Sequence, residues 1–339
     1  AGVGAYPRPV SAEPEWTGWI PKTEMPGSRG EDVGWIATAN NDLRLDGYPY
    51  FYSSHFAPDY RYRRIAQMLD GEPAGTAEKH WGFIQDDLNL QAVAFAPRFA
   101  EALAADPELL DLAERLRAWD HRDDKSSVAA SIYHVLYEQL FGLVFDDELG
   151  QALGLELQSN RYFWLQRFDA MLLSGESTWF DDVTTADAVE TLDDLVQSAG
   201  HRAREILGER LGPEVDAWAW GEIHQLAFIS PIRPRGFGAG WLGHPPFPVS
   251  GSGETVLRSQ YKAREDFTPS FMDSARFVAD FSQDDYVLGV VAGGVVARQG
   301  HPAFKNQVPV WAAGEALRWW IDPERAKAET SLALQLNAP

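Results

Sequence analysis

Apolar residues recur at three- and four-residue spacing through the middle of the chain, and in short clustered runs toward both ends. Leu109, Leu112, Leu116 and Trp119 form one stripe with Glu, Asp and Arg between them, and Asp106-Pro107 stands where an N-cap and first turn belong. That pattern predicts an amphipathic helix. Residues 129–145 and 161–173 read the same way, and Thr185 or a neighbour is placed to cap a further helix over about 186–211. Residues 60–212 are therefore expected to be a helical block.

On either side the pattern changes. Residues 1–32 are rich in Pro, Gly and charge and read as loops and extended segments. The apolar run 33–39 has strand character and delivers Asn40 and Asn41 into a turn-rich loop followed by the aromatics Tyr48, Tyr50, Phe51 and Tyr52. After Gly212 the chain reads as β again. Residues 274–280 and 286–291 are short β-rich runs joined by a polar turn, as in adjacent strands, and a closing helix is expected over about 308–320. No repeat or linker divides the chain. The reading is one α+β unit: 1–59 strand and loop, 60–212 helical block, 213–307 returning strands, and 308–339 helix and tail.

Composition narrows the function classes. The 339 residues are 45% hydrophobic and 12% aromatic, which argues for a globular core. With 29 basic against 50 acidic residues the formal charge is −21, which argues against nucleic acid or an anionic membrane as the main partner. A neutral or cationic small substrate is compatible with it. There are no cysteines, so thiolate chemistry and disulfides are excluded. No run approaches the roughly 18 apolar residues of a membrane helix, so no span is expected.

Several motifs invite chemistry. An Asn-Asn pair after a strand is either a turn, since Asn tolerates positive φ, or a rigid amide donor of the kind an oxyanion hole needs. The doublets Asp86-Asp87, Asp123-Asp124 and Asp181-Asp182 are expected as solvated turns or caps, because adjacent side chains diverge. Ser250-Gly251-Ser252-Gly253 has neither nucleophile-elbow nor phosphate-loop spacing. His224 is expected to be a structural hydrogen-bonder rather than a base.

Taken in order, Trp16-Thr17-Gly18-Trp19-Ile20-Pro21, Ala39-Asn40-Asn41, Tyr48-Pro49-Tyr50-Phe51, Tyr60-Arg61-Tyr62-Arg63-Arg64-Ile65, Trp179-Phe180-Asp181-Asp182-Val183-Thr184-Thr185 and Trp220-Gly221-Glu222-Ile223-His224-Gln225 resemble the penicillin acylase family of N-terminal nucleophile hydrolases. The resemblance covers essentially the whole chain and matches the later part of that family's β subunit. It implies part of a four-layer αββα fold with a helical block inserted between sheet strands, residues 1–7 being a strand end. It places an oxyanion amide on Asn40 and a site-holding guanidinium on Arg61, with Arg63 or Arg64 as alternatives. Tyr50, Phe51 and Tyr52 are candidates for lining an acyl pocket. The implied substrate is a small amide with an apolar acyl group, of β-lactam, acyl-homoserine lactone or acyl-peptide type.

In that family a precursor cuts itself and the exposed Ser, Thr or Cys uses its own α-amino group as base. Such an amine needs little tuning, because its unperturbed pKa is about 7.7 to 8. Ala1 has no nucleophilic atom, and the chain reads as a mature or trimmed product. The resemblance therefore implies companion α and nucleophile-bearing chains of the same precursor. It also implies a periplasmic or secreted location and no organic cofactor. Some members hold a structural calcium near the region matching 46–54, where the expected acidic ligand is not clearly present. The competing reading is a non-catalytic binding or scaffold subunit of the same fold.

Overall fold

The computed structural model describes residues 18–330 except 32, 73, 231, 233–235, 265 and 284, with only the backbone described at 161–163. The strand end read at 1–7, the Trp16-Thr17 pair and the tail 331–339 lie outside the described residues. The elements in chain order are α1 (Tyr60–Gly71), α2 (Ala77–Ile84), α3 (Leu90–Leu103), α4 (Leu110–Ala118), α5 (Val128–Ser159), α6 (Arg161–Ser174), α7 (Leu192–Leu211) and α8 (Trp220–Ile223). Then follow β1 (Gln225–Phe228), α9 (Ala239–Leu242), β2 (His244–Pro248), β3 (Ser259–Tyr261), β4 (Pro269–Met272), β5 (Ala275–Val278) and β6 (Tyr286–Val291). The last three are α10 (Val308–Ala312), β7 (Leu317–Trp320) and α11 (Pro323–Ala328).

The helical block has clear local causes. Side-chain caps satisfy first-turn amides: Asn89 Oδ1 accepts from Gln91 N (3.0 Å) and Ala92 N (3.1 Å) to start α3, and Ser127 Oγ accepts from Ala130 N (3.2 Å) to start α5. Asp106 accepts from Glu108 N (2.8 Å), as the sequence pattern indicated. Helix α7 starts later than expected. Thr191 and Asp194 form its reciprocal capping box, whereas Thr185 donates to Asp182 O and Glu190 in a turn.

Helix α5 is apolar on all sides because α3, α4, α6, α7 and α8 surround it, a pattern expected of a core helix. By length and composition it could cross a membrane, contrary to the expectation of no such run, but 83% of its most apolar window is buried in protein. Gly150, at φ 74° and ψ 153°, breaks its helical path. Phe95, Phe99, Leu103, Leu109, Leu112 and Phe168 are among the side chains that fill the core around it. Gly200 lets α7 press onto α3, since a Cβ there would lie 2.4 Å from Leu103.

A smaller core, with Trp81, Leu226, Val249, Leu288, Val290 and Trp311, lies with the strands. The strands form antiparallel pairs β1-β2 and β3-β4 and a three-stranded sheet β5-β6-β7. In the last, Ala275 faces Val291, Val278 faces Leu288, and Tyr286 faces Trp320. The sequence pattern expected a helix through 308–320. Instead α10 ends at Ala312, Gly314 turns at φ 73°, and Leu317-Arg318-Trp319-Trp320 pairs with β6. Gly289 makes that pairing possible: a Cβ there would lie 2.6 Å from the Trp319 ring. The expected strand at 33–39 is likewise absent. No described strand lies alongside it, and a strand exists only through its ladder.

Candidate functional site

Asn40 has a left-handed backbone, φ 64°, a conformation that Asn tolerates better than most residues. Four bonds fix it there. Ala57 N–H donates to Asn40 O at 2.9 Å, and Asn41, buried, accepts Ala39 N–H on its Oδ1 at 3.0 Å. Arg61, in the first turn of α1, donates from Nη2 to Ala39 O at 2.7 Å and to Asn40 Oδ1 at 3.1 Å.

The chemistry of these partners orients the amide. A guanidinium has donors only, so it takes the carbonyl end of Asn40. The Nδ2 donor end is left on the exposed side of the chain, with no partner among the described residues. The turn is thus made by the positive φ of Asn40 and the Asn41 side chain together, and Asn40 presents its amide from it. Arg61 is only 9% exposed, whereas Arg63 pairs with Asp59 on the surface (3.0 Å) and Arg64 grips Asp86 with two bonds (2.8 and 2.7 Å). Of the three arginines, Arg61 is the one the fold brings to Asn40.

The aromatic candidates divide. Tyr50 O–H donates to Glu24 Oε2 (2.6 Å) beside Tyr48, whose O–H donates to Glu24 O (2.9 Å), so both brace the 22–24 turn. Phe51 and Tyr52 are 47% and 41% exposed, with Tyr52 stacked 6.5 Å from Phe56. A cavity of about 540 Å³ lies elsewhere, between the two limbs of kinked α5 and the outer face of α6, walled by Phe145, Leu153, Leu157, Trp164 and Trp179 among others. Tyr50, Phe51 and Tyr52 do not line it.

The acidic doublets are not solvated turns throughout. Asp86 and Asp87 are buried against Arg64 and Arg122, the latter bond 2.6 Å, and Asp123 is wholly buried with Asn89 Nδ2 at 2.9 Å and His134 Nε2 at 3.1 Å. Asp124 and Asp182 do cap turns, at Ser126 and Thr184. Among the described residues no group of three His, Asp or Glu is arranged to hold a metal ion.

His224 is fully buried and stacked 4.2 Å from Trp220. Its Nδ1–H donates to Phe267 O (2.7 Å), which obliges Nε2 to accept from Ser259 O–H (2.5 Å). Burial pushes its pKa down to about 3, so it stays neutral. Both nitrogens are occupied, which suits structure and leaves none for a substrate.

Sequence reasoning missed one site-adjacent group, Asp169 of α6. Its buried carboxylate accepts from Tyr137 O–H (2.6 Å), Tyr60 O–H (2.8 Å) and Gln91 Nε2 (3.2 Å). Burial raises its pKa to about 6, against the lowering effect of those three donors. No local signal marks it, because its partners lie 32 to 109 residues away.

The mixed helix and sheet architecture agrees with what the chain resembles. Residues 2–328 match the sequence pattern of penicillin amidase, and the chain belongs to that family. It is 25% identical over 354 residues to acyl-homoserine lactone acylase QuiP of Pseudomonas aeruginosa, which covers 95% of this chain and 42% of that protein. It is 29% identical over 335 residues to the penicillin acylase 2 proenzyme of a Pseudomonas sp., covering 96% of this chain and 41% of that protein. The chain thus spans about two fifths of the length of these relatives. A thermostable penicillin G acylase from Alcaligenes faecalis superposes with a TM-score of 0.48 at 12% identity, over 90% of this chain and 57% of that one.

Proposed function

We propose that this chain is part of an amidohydrolase that cleaves the amide bond to an apolar acyl group. Substrates of the β-lactam side-chain, acyl-homoserine lactone or acyl-peptide type fit that class, in line with the acylase names of its relatives. The nucleophilic Ser, Thr or Cys is supplied by a companion chain or segment, in a periplasmic or secreted enzyme assembled from one precursor.

The observation that carries the reading is the amide of Asn40, held by Arg61 so that Nδ2 is the free donor. When the nucleophile adds to the acyl carbon, the carbonyl π electrons move to oxygen, and Nδ2–H stabilises that oxyanion. Collapse expels the amine, which leaves with a proton. Water then releases the acid from the acyl-enzyme. A preorganised donor of this kind contributes about 3 kcal/mol. Phe51 and Tyr52 offer exposed ring faces to an acyl group or to a companion chain.

The test is intact mass and N-terminal sequencing of the native complex, followed by Asn40→Ala in the assembled enzyme. A companion chain beginning with Ser, Thr or Cys and a loss of turnover of about a hundredfold are expected. A complex without such a chain would move the reading to a non-catalytic scaffold, and full turnover in Asn40→Ala would remove Asn40 from the oxyanion role.

A further inference from the structure

The segment that carries Asn40's supports is itself gripped from the far side. Helix α6 meets it at two points one turn apart: Gln166 Nε2 donates to Ala57 O at 3.1 Å, and Asp169 Oδ2 accepts Tyr60 O–H at 2.8 Å. Ala57 is the residue whose N–H holds Asn40 O, and Tyr60 immediately precedes the Arg61 that holds Asn40 Oδ1. The α1 N-terminus has no side-chain cap of its own, so these contacts, rather than a local capping bond, locate its first turn.

Asp169 is an unusual occupant for that place. It is 4% exposed, and no Lys, Arg or His among the described residues pairs with it; neutral donors from α1, α3 and α5 surround it. A buried carboxylate held this way costs more than an apolar side chain packed in the same space. What it supplies instead is direction, since three donors converging from three helices leave the Tyr60 hydroxyl one position.

We propose that Asp169, with Gln166, is a positioning residue for Asn40, acting through Tyr60, Arg61 and Ala57 and touching no reacting atom. This inference rests on the reading of Asn40 as an oxyanion donor. Oxyanion donors must stand about 2.7–3.1 Å from the developing charge, and a misplacement of about 1 Å costs on the order of a hundredfold in rate. A partial loosening through Asp169 is therefore expected to lower kcat about tenfold with KM within about twofold.

Two readouts separate the inference from the reading beneath it. In the ¹⁵N spectrum of the assembled enzyme labelled in this chain, the Asn40 side-chain amide peak, identified by its loss in Asn40→Ala, shifts and broadens in Asp169→Asn and Tyr60→Phe. In the assembled enzyme, assayed with phenylacetyl- and octanoyl-p-nitroanilide, either substitution slows kcat in the native background and has no further effect in Asn40→Ala. An unmoved amide peak, or an equal slowing in both backgrounds, overturns the proposal. Full activity in Asn40→Ala instead sinks the oxyanion reading and with it the catalytic half of the proposal. Should Asp169→Asn fail to fold, Tyr60→Phe and Gln166→Ala, each removing one bond, probe the same coupling with the same two readouts.

Discussion

Arg61 and Asn40 are joined through a single guanidinium nitrogen: Nη2 of Arg61 donates both to the Ala39 carbonyl at 2.7 Å and to Asn40 Oδ1 at 3.1 Å. Because that nitrogen cannot accept, the bond decides which end of the Asn40 amide faces outward.

Arg61→Lys is expected to keep the charge and lose the geometry, since an ammonium is a point charge without a planar fork. Turnover should fall about tenfold or more, measured as kcat in the assembled enzyme. Arg61→Ala leaves two carbonyl oxygens without their donor and should also cost about 1–3 kcal/mol in urea unfolding. Unchanged kcat in Arg61→Lys would show that Asn40 needs no such holder.

The backbone of Asn40 permits chemistry to be separated from folding. At φ 64° an alanine meets the left-handed penalty of about 1–2 kcal/mol, whereas glycine does not. Asn40→Gly should therefore melt close to the native protein and Asn40→Ala below it, with both losing the amide donor and the same share of turnover. A glycine variant that keeps its activity would remove the side chain from the reaction.

Asp169 gives stability a defined pH dependence. Its pKa is about 6 in the fold against an ordinary 3.8, so between those values the folded state binds the proton more tightly. Its contribution is therefore full below about pH 4, is lost as pH rises through 6, and levels above that, by about 3 kcal/mol in all. The difference in unfolding free energy between the native protein and Asp169→Asn, followed by urea titration from pH 4 to 7, should change by that order. A pH-independent difference would contradict the burial of an ionisable carboxyl here.

His224 and Ser259 predict the opposite pattern, stability without activity. Ser259→Ala leaves His224 Nε2 buried without a donor, which should cost about 1–3 kcal/mol and leave kcat unchanged. The His224 ring should show no protonation in its NMR shifts from pH 8 down to pH 5, since burial holds its pKa near 3. A titration near pH 6.5 would mean that the ring is reached by water.

Much of the fold was legible along the chain. Leu112 and Leu116 lie on the buried face of α4 with Leu109 buried in the turn before it, Asp106 caps where its spacing indicated, and the 274–291 run is an antiparallel pair. The misreadings have one cause. Thr185 and Thr191 are both cap residue types, and the helix starts at the one with Asp194 three residues on, a pairing that Thr185 lacks. Leu317 to Trp320 has a spacing that suits a helix or a strand, and β6 with its Gly289 decided for a strand.

By itself the sequence determined the helical block, the family and the pairing of an Asn amide with a nearby arginine, because each is written in residues close together or in a fixed order. It could not choose among Arg61, Arg63 and Arg64, which differ only in the direction each takes from α1. Tertiary structure made that choice, turning Arg61 inward to Asn40 and sending Arg63 and Arg64 to Asp59 and Asp86. It also brought Asp169 to Tyr60 across 109 residues of chain, a contact that depends on how α6 packs on α1, α3 and α5, which no local pattern encodes.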